Sequence, residues 1–183
     1  HHATLRRQRQ MCIRDRSNPF VRYRERMGWW AFARANGMSD DETVVLARSV
    51  AGQFSVTPLQ PHDGLSDVIG RSVWAKNETV GVSGSHKSRH LVGIMLHLIA
   101  AEQLGMLTER PPLAISSCGN AALAAATVAS SQEWPLRVFV PTWMDDSFGS
   151  GLDALGAEVN RCERIAGAAG DPAMSAFREA VSQ

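Results

Sequence analysis

Apolar residues recur at helical spacing from about Val21 to Ala35 and stop at Asn36-Gly37, a pair suited to a left-handed helix end. A second helix is expected from Ser39, an N-cap with Glu42 three residues on, to about Val50. "FSVTPLQ" predicts a short strand or extended piece halted by Pro58, and "SVWAKNE" a strand by its β-branched and aromatic content. The turn "TVGVSGSH" then feeds a helix from about Lys87 to Leu104. Its residues 91 to 101 are apolar nearly all round, so burial on most sides is expected.

Further on, "PLAISS" reads as a buried strand entering "CGN", and "AALAAATVASS" as a helix whose small side chains permit close packing. "PLRVFVP" predicts another buried strand, about Asp146 to Leu155 a helix, and "AEVNRC" a strand. "DPAMSAFREAVS" predicts a last helix with Pro172 at its first position. From residue 72 onward strands alternate with helices. That order predicts an α/β fold with a mostly parallel sheet covered by helices on both faces. Such sheets bind ligands where strands turn into helices. Two of those junctions, "SGSHK" and "SSCGN", carry glycine and polar residues.

Composition narrows the function class. The formal net charge is +1, but Arg6, Arg7, Arg9, Arg14 and Arg16 crowd the first seventeen residues. The rest of the chain is slightly acidic, which argues against nucleic acid or an anionic membrane as its partner. "MCIRDR" resembles the translated end of a transposase adapter used for sequencing libraries, so residues 1–17 are read as a non-native tail. Residues 18–53 are expected to form a helical N-terminal segment and 54–183 the α/β region. Cys12, Cys118 and Cys162 lie far apart without metal spacing, which suits a reducing cytoplasm and no disulfide framework. His90 and His97 stand at i and i+7 with no third ligand nearby, so no metal is expected. "LVGIMLHLIAA" is too short to span a bilayer, and no signal peptide precedes the fold. The five tryptophans default to core packing.

At "SSCGN" the first backbone N–H groups of a helix form a site suited to a carboxylate or phosphate. Gly119 permits close approach there, and Asn120 offers a donor and an acceptor. The plainer reading is that Ser116, Ser117 or Asn120 caps the helix. Cys118 fills a tight turn, with no base marked for it as a nucleophile. At "SGSHK", Lys87 is one of only two lysines in 183 residues, the other being Lys76. The positive end of a helix and an apolar surrounding both favour its neutral amine, the form that condenses with a carbonyl. A surface lysine at a helix start remains the alternative. His86 is either a phosphate ligand or a structural histidine.

Together the junctions are more specific. "WAKNETVGVSGSHKSRHLVG", followed by "LAISSCGNAALAAATVA", resembles the fold type II pyridoxal-phosphate enzymes: threonine synthase, threonine and serine dehydratases, cysteine synthase and the tryptophan synthase β chain. The matching pieces are Lys76-Asn77-Glu78, Gly84-Ser85-His86-Lys87-Ser88-Arg89 and Ser117-Cys118-Gly119-Asn120. The resemblance covers about residues 54 to 165, and "NPFVRYRERM" fits the threonine-synthase-like branch.

The resemblance implies that Lys87 holds pyridoxal 5'-phosphate as a Schiff base and later acts as base at the substrate's Cα. Asn120 would contact the cofactor ring, Ser85 and His86 would lie by the cofactor, and Ser117, Cys118, Gly119 and Asn120 would bind the substrate carboxylate. Ser-His-Lys departs from the commoner Ser-Phe-Lys and is nearer the tryptophan synthase β chain. The implied reaction is β- or γ-elimination or replacement on an amino acid, threonine-synthase-like. The alternatives are a threonine or serine dehydratase and a non-catalytic ligand-binding relative. The whole protein is expected to be a cytoplasmic homodimer. The family's glycine-rich phosphate loop and ring-nitrogen partner are expected beyond Gln183, so this chain alone is expected to bind the cofactor poorly and to be inactive.

Overall fold

The computed structural model describes residues 17–164, 166–167 and 169–182. Residues 1–16 of the tail reading, Cys12 among them, therefore lie outside the described residues.

The helix expected from Val21 to Ala35 is split. Helix α1 (Pro19–Arg22) leads into a 3-10 turn (Arg24–Arg26), and α2 (Gly28–Ala35) follows an extended Met27 (φ −110°, ψ 140°). The break lets Arg24 fold back. Its guanidinium donates to Val21 O at 3.0 Å and to the Asp40 carboxylate at 2.7 and 3.2 Å. Asn18, 7% exposed, fixes the start of α1 by accepting from the Phe20 and Val21 N–H groups and donating to Ala51 O at 2.7 Å. The α2 helix stops where expected, with Gly37 at φ +99° and Met38 N–H on Ala33 O at 3.0 Å. Helix α3 (Asp40–Ala51) starts with the expected capping box: Ser39 and Glu42 exchange bonds of 2.7 and 3.3 Å.

Residues 54–58 form no regular element, and strand β1 (Leu59–Pro61) begins only after Pro58, which has no N–H to give a ladder. A short helix the pattern did not reveal, α4 (Asp63–Ile69), follows. The His62 imidazole caps it by accepting from Leu65 N–H, and Gly70 ends it at φ +68°. Strand β2 (Trp74–Lys76) pairs antiparallel with β1, Gln60 opposite Ala75, and stands apart from the parallel sheet.

The remaining elements follow the expected order: α5 (Lys87–Gln103), β3 (Leu113–Ser116), α6 (Asn120–Ser130), β4 (Leu136–Pro141), α7 (Asp146–Ala154), β5 (Glu158–Cys162) and α8 (Pro172–Val181). The sheet is parallel, ordered β3-β4-β5, with Ile115 opposite Val138 and Val138 opposite Val159. Alternation along β4 separates its faces. Leu136, Val138 and Val140 join the main core with α6 and α7, while Phe139 turns the other way and meets Phe177 of α8, ring centroids 6.2 Å apart. Helices thus cover both faces, and the chain has the α/β architecture its sequence pattern predicts.

Helix α5 is the hub. Val92, Met95, Leu96 and Ile99 pack among Trp29 and Ala33 of α2, Leu46 and Val50 of α3, and the alanines of α6. Its burial is less complete than expected, because His90, Ile94 and His97 leave one open stripe, with Ile94 52% exposed. Trp29 and Trp134 are core residues, whereas Trp74 and Trp143 are exposed. Among the described residues no helix is long and apolar enough to cross a membrane.

Hydrogen bonds from Arg24 and Trp30 hold the Asp40 carboxyl down to about 2, from an ordinary 3.8. A depressed folded value means that this link is complete above pH 3.8 and is lost as pH falls towards 2. Asp40→Asn is expected to remove that part of the acid dependence, read as a flatter melting temperature between pH 4 and pH 2 than in the parent.

Candidate active site

The segment leading to Lys87 is a compact turn. A 3-10 turn over Val82–Gly84 places Gly84 at φ +65° and, unusually for a side-chain-bearing residue, Ser83 at φ 61°. Ser88 is 1% exposed and donates from Oγ to Val82 O at 2.7 Å, locking the turn against the first turn of α5. Ser85, 8% exposed, accepts from Lys87 N–H at 3.3 Å. Its hydroxyl therefore fixes the helix start. His86 is exposed at the N-cap and makes no capping bond.

The two lysines have different surroundings. Lys76 donates to Thr57 O at 2.5 Å and lies 4.0 Å from the Glu78 carboxylate. The half-buried Lys87 amine makes no hydrogen bond or ion pair among the described residues. It stands at a helix N-terminus, where the nearby backbone groups are N–H donors and offer it no acceptor.

Glu78 and Arg89 frame this turn. The Arg89 guanidinium donates to Glu78 Oε2 at 2.8 Å, to Thr57 Oγ1 at 3.2 Å and to Ser55 O at 3.3 Å, while Thr57 Oγ1 donates to Glu78 Oε1 at 2.7 Å. Burial pushes the Glu78 carboxyl up, but the bonds from Arg89 and Thr57, with the charges of Arg89 and Lys76, outweigh it and leave it below the usual range. Gly81 sits close beneath, where a Cβ would meet Glu78 O at 3.2 Å. Thr57 and Ser88 were missed in the sequence. Ser88 carried only the signal of a hydroxyl beside a glycine-bearing turn, and Thr57 none, its partner Glu78 lying twenty-one residues on.

At the second junction, strand β3 ends and α6 begins with Gly119 as N-cap and no side-chain cap. None of Ser116, Ser117 and Asn120 caps the helix. Ser117 Oγ instead accepts from Gly119 N–H at 3.4 Å, within the loop. The N–H groups of Asn120 and Ala121 are left without partners among the described residues, and the Asn120 and Cys118 side chains are exposed. Gly119 has an extended φ of −145°, and a Cβ there would meet nothing within 4 Å. Neither the backbone nor packing demands a glycine there, and open space lies over the loop. Helix α6 packs against α5 and against the Val82–Gly84 turn, so the two junctions are neighbours.

Burial raises the thiol of Cys162 above its ordinary value, which keeps it protonated and unreactive. Among the described residues no cluster of His, Cys, Asp or Glu could hold a metal ion.

A half-buried free amine, an uncapped helix N-terminus and open space over a loop glycine fit an aldehyde cofactor and an anionic substrate group. Residues 50–183 match the pyridoxal-phosphate dependent enzyme family, and the chain belongs to it. No curated protein matches the sequence. Among solved structures, a hydrogen sulfide-producing enzyme from Fusobacterium nucleatum is 20% identical with a TM-score of 0.58, over 74% of this chain and 42% of that one. A pyridoxal 5'-phosphate-dependent aspartate racemase is also 20% identical, TM-score 0.59, over 75% and 40%. An L-serine ammonia-lyase from Rhizomucor miehei is 20% identical, TM-score 0.55, over 71% and 38%. The chain thus shares their fold and spans about two fifths of their length.

The Glu78 network predicts its own disruption. Glu78→Gln is expected to cost about 1–3 kcal/mol of stability in denaturant titration, because it removes the charged acceptor for Arg89. Since the folded carboxyl titrates below its ordinary 4.5, the parent keeps this contribution above that pH and loses it as pH falls below, whereas Glu78→Gln does not.

Proposed function

We propose that the whole protein carrying this chain is an amino-acid lyase or synthase of threonine-synthase-like chemistry, with Lys87 as the residue that holds the cofactor. The observation carrying this reading is the Lys87 amine, which has no partner among the described residues although it leaves from a tightly braced turn. Its condensation with an aldehyde breaks no existing hydrogen bond or ion pair.

Bound pyridoxal phosphate supplies an electron sink for charge developing at a substrate's Cα. The residues of this chain do the rest. Ser85 and Ser88 fix the turn from which Lys87 projects. The free N–H groups of Asn120 and Ala121, at the positive end of α6, suit the substrate carboxylate, with Ser117, Cys118 and Gly119 shaping the loop around it. The exposed Asn120 amide supplies a donor or acceptor to the cofactor ring, and His86 one to its phosphate. Lys87 Nζ would hold the cofactor's aldehyde and, as a free amine, would serve as the base for the substrate's Cα proton. The leaving group at the β or γ carbon sets the reaction. Fold relatives include both an ammonia-lyase and a racemase, so the substrate is chosen by residues around the loop rather than by the fold.

In the whole protein, borohydride reduction is expected to attach the cofactor to Lys87, identified by peptide mass. Lys87→Arg is expected to abolish the cofactor's visible absorbance and to lower turnover at least about a thousandfold. Lys76→Arg is expected to retain the absorbance. Turnover of O-phosphohomoserine rather than of threonine or serine supports the synthase reading, and the reverse preference identifies a dehydratase. Absorbance that survives Lys87→Arg removes the basis of the proposal.

A further inference from the structure

Trp143 is 62% exposed, in the turn between β4 and α7, and the structure holds that turn firmly. The Arg161 guanidinium donates to Thr142 O at 3.3 Å and to Met144 O at 3.1 Å, the carbonyls on either side of Trp143. It also donates to Asp146 Oδ1 at 2.6 Å. Gly149 leaves it room, since a Cβ there would meet the guanidinium at 3.0 Å. Asp145 closes the turn by accepting from the Ser147 and Phe148 N–H groups at 2.8 and 3.4 Å. An indole held out on a turn braced in this way is a rigid platform.

A charge lies on that platform. The Arg164 guanidinium sits over the Trp143 ring, 5.6 Å from its centroid, and makes no hydrogen bond or ion pair among the described residues. Stacking on an aromatic face leaves the N–H edge of a guanidinium free, the edge that takes a carboxylate or phosphate in two parallel bonds. The carboxylates nearby do not claim it. Asp145 and Asp146 are occupied as described, and Asp171 caps α8 by accepting from Ala173 N–H at 2.9 Å. Glu163 and Glu179 line, with Arg164, a cavity of about 430 Å³ and form no ion pair with it.

Topology brings this pair to the candidate site. Strands β3, β4 and β5 are parallel, so the turns that follow them lie along one edge of the sheet. Ser117 N–H on Phe139 O and Thr142 N–H on Cys162 O carry the ladder up to that edge. Ser117–Asn120 follows β3, Trp143 follows β4 and Arg164 follows β5. With neighbouring strands about 4.8 Å apart, the end of β5 stands about 10 Å from the end of β3. The long side chain of Arg164 closes much of that distance.

We propose that Arg164, stacked on Trp143, recognises the far end of the substrate and that this end is anionic. The substrate's own carboxylate lies at the Asn120 and Ala121 N–H groups, and its side chain runs along the sheet edge towards Arg164. This assignment rests on the lyase or synthase reading and names its substrate class: an amino acid carrying a distal phosphate or carboxylate.

Three homoserine esters that differ only in the far end test it by calorimetry on the whole protein. They are O-phosphohomoserine, O-succinylhomoserine and the uncharged O-acetylhomoserine. At least one anionic ester is expected to bind at least about tenfold more tightly than the acetyl ester. The tighter of the two names the anion as phosphate or carboxylate. Arg164→Gln, at an exposed and unpaired side chain, is expected to bind all three alike and to retain the visible absorbance of the bound cofactor. A parent that shows no preference for an anionic ester overturns the proposal, and so does a preference that survives Arg164→Gln. Absence of that absorbance from the parent itself overturns the cofactor reading instead.

Discussion

The ion pair between Glu78 and Arg89 is the contact on which the turn before Lys87 depends. It joins the segment after β2 to the first turn of α5, and Thr57 and Ser55 bring in the stretch before β1. Lys76 Nζ on Thr57 O and Asn77 N–H on Pro58 O add to the same join. The β1–β2 ribbon is short and exposed, and residues 54–58 form no element of their own. A surface pair would contribute little. Here both side chains are largely shielded, 27% and 20% exposed, and each carboxylate oxygen has a hydrogen-bond donor. Removing either partner leaves a poorly hydrated charge, which is the costly direction.

That brace supports a turn that is unfavourable in itself. Ser83 takes a left-handed backbone and, among the described residues, carries the sole buried side-chain polar atom without a hydrogen-bond partner. Each feature costs about 1–3 kcal/mol, a sizeable share of the roughly 5–15 kcal/mol by which domains are stable. The bonds from Ser88 to Val82 and from Lys87 N–H to Ser85 hold the turn from below, and Arg89 ties the next residue to Glu78. Strain of this kind survives where surrounding structure over-determines it, and here it lies four residues before Lys87.

Much of this was legible in the sequence because it is encoded locally. The capping box of α3, the Gly37 stop, the alanine-rich α6 and the β3–β5 alternation each depend on residues a few positions apart. So do the two glycine-bearing junctions. What was not legible depends on distant partners. The break at Met27 accompanies Arg24 reaching Asp40, sixteen residues on. The composition of β2 suits any strand, and it pairs antiparallel with β1 rather than within the parallel sheet. Helix α4 hid because its cap is an imidazole rather than a hydroxyl or carboxylate. Thr57 joined the site through Glu78, twenty-one residues later, and no local pattern announces such a bond.

Position rather than residue type separates the two lysines. Lys76 leaves a strand beside Glu78 and finds a carbonyl and a carboxylate, so its charge is satisfied and its amine serves the brace. Lys87 leaves a helix N-terminus, where backbone N–H groups offer no acceptor. The same network that occupies the first amine anchors, through Arg89, the turn that presents the second. The amine of Lys87 is thus left unpaired by the same fold that braces the turn around it through Lys76, Glu78 and Arg89.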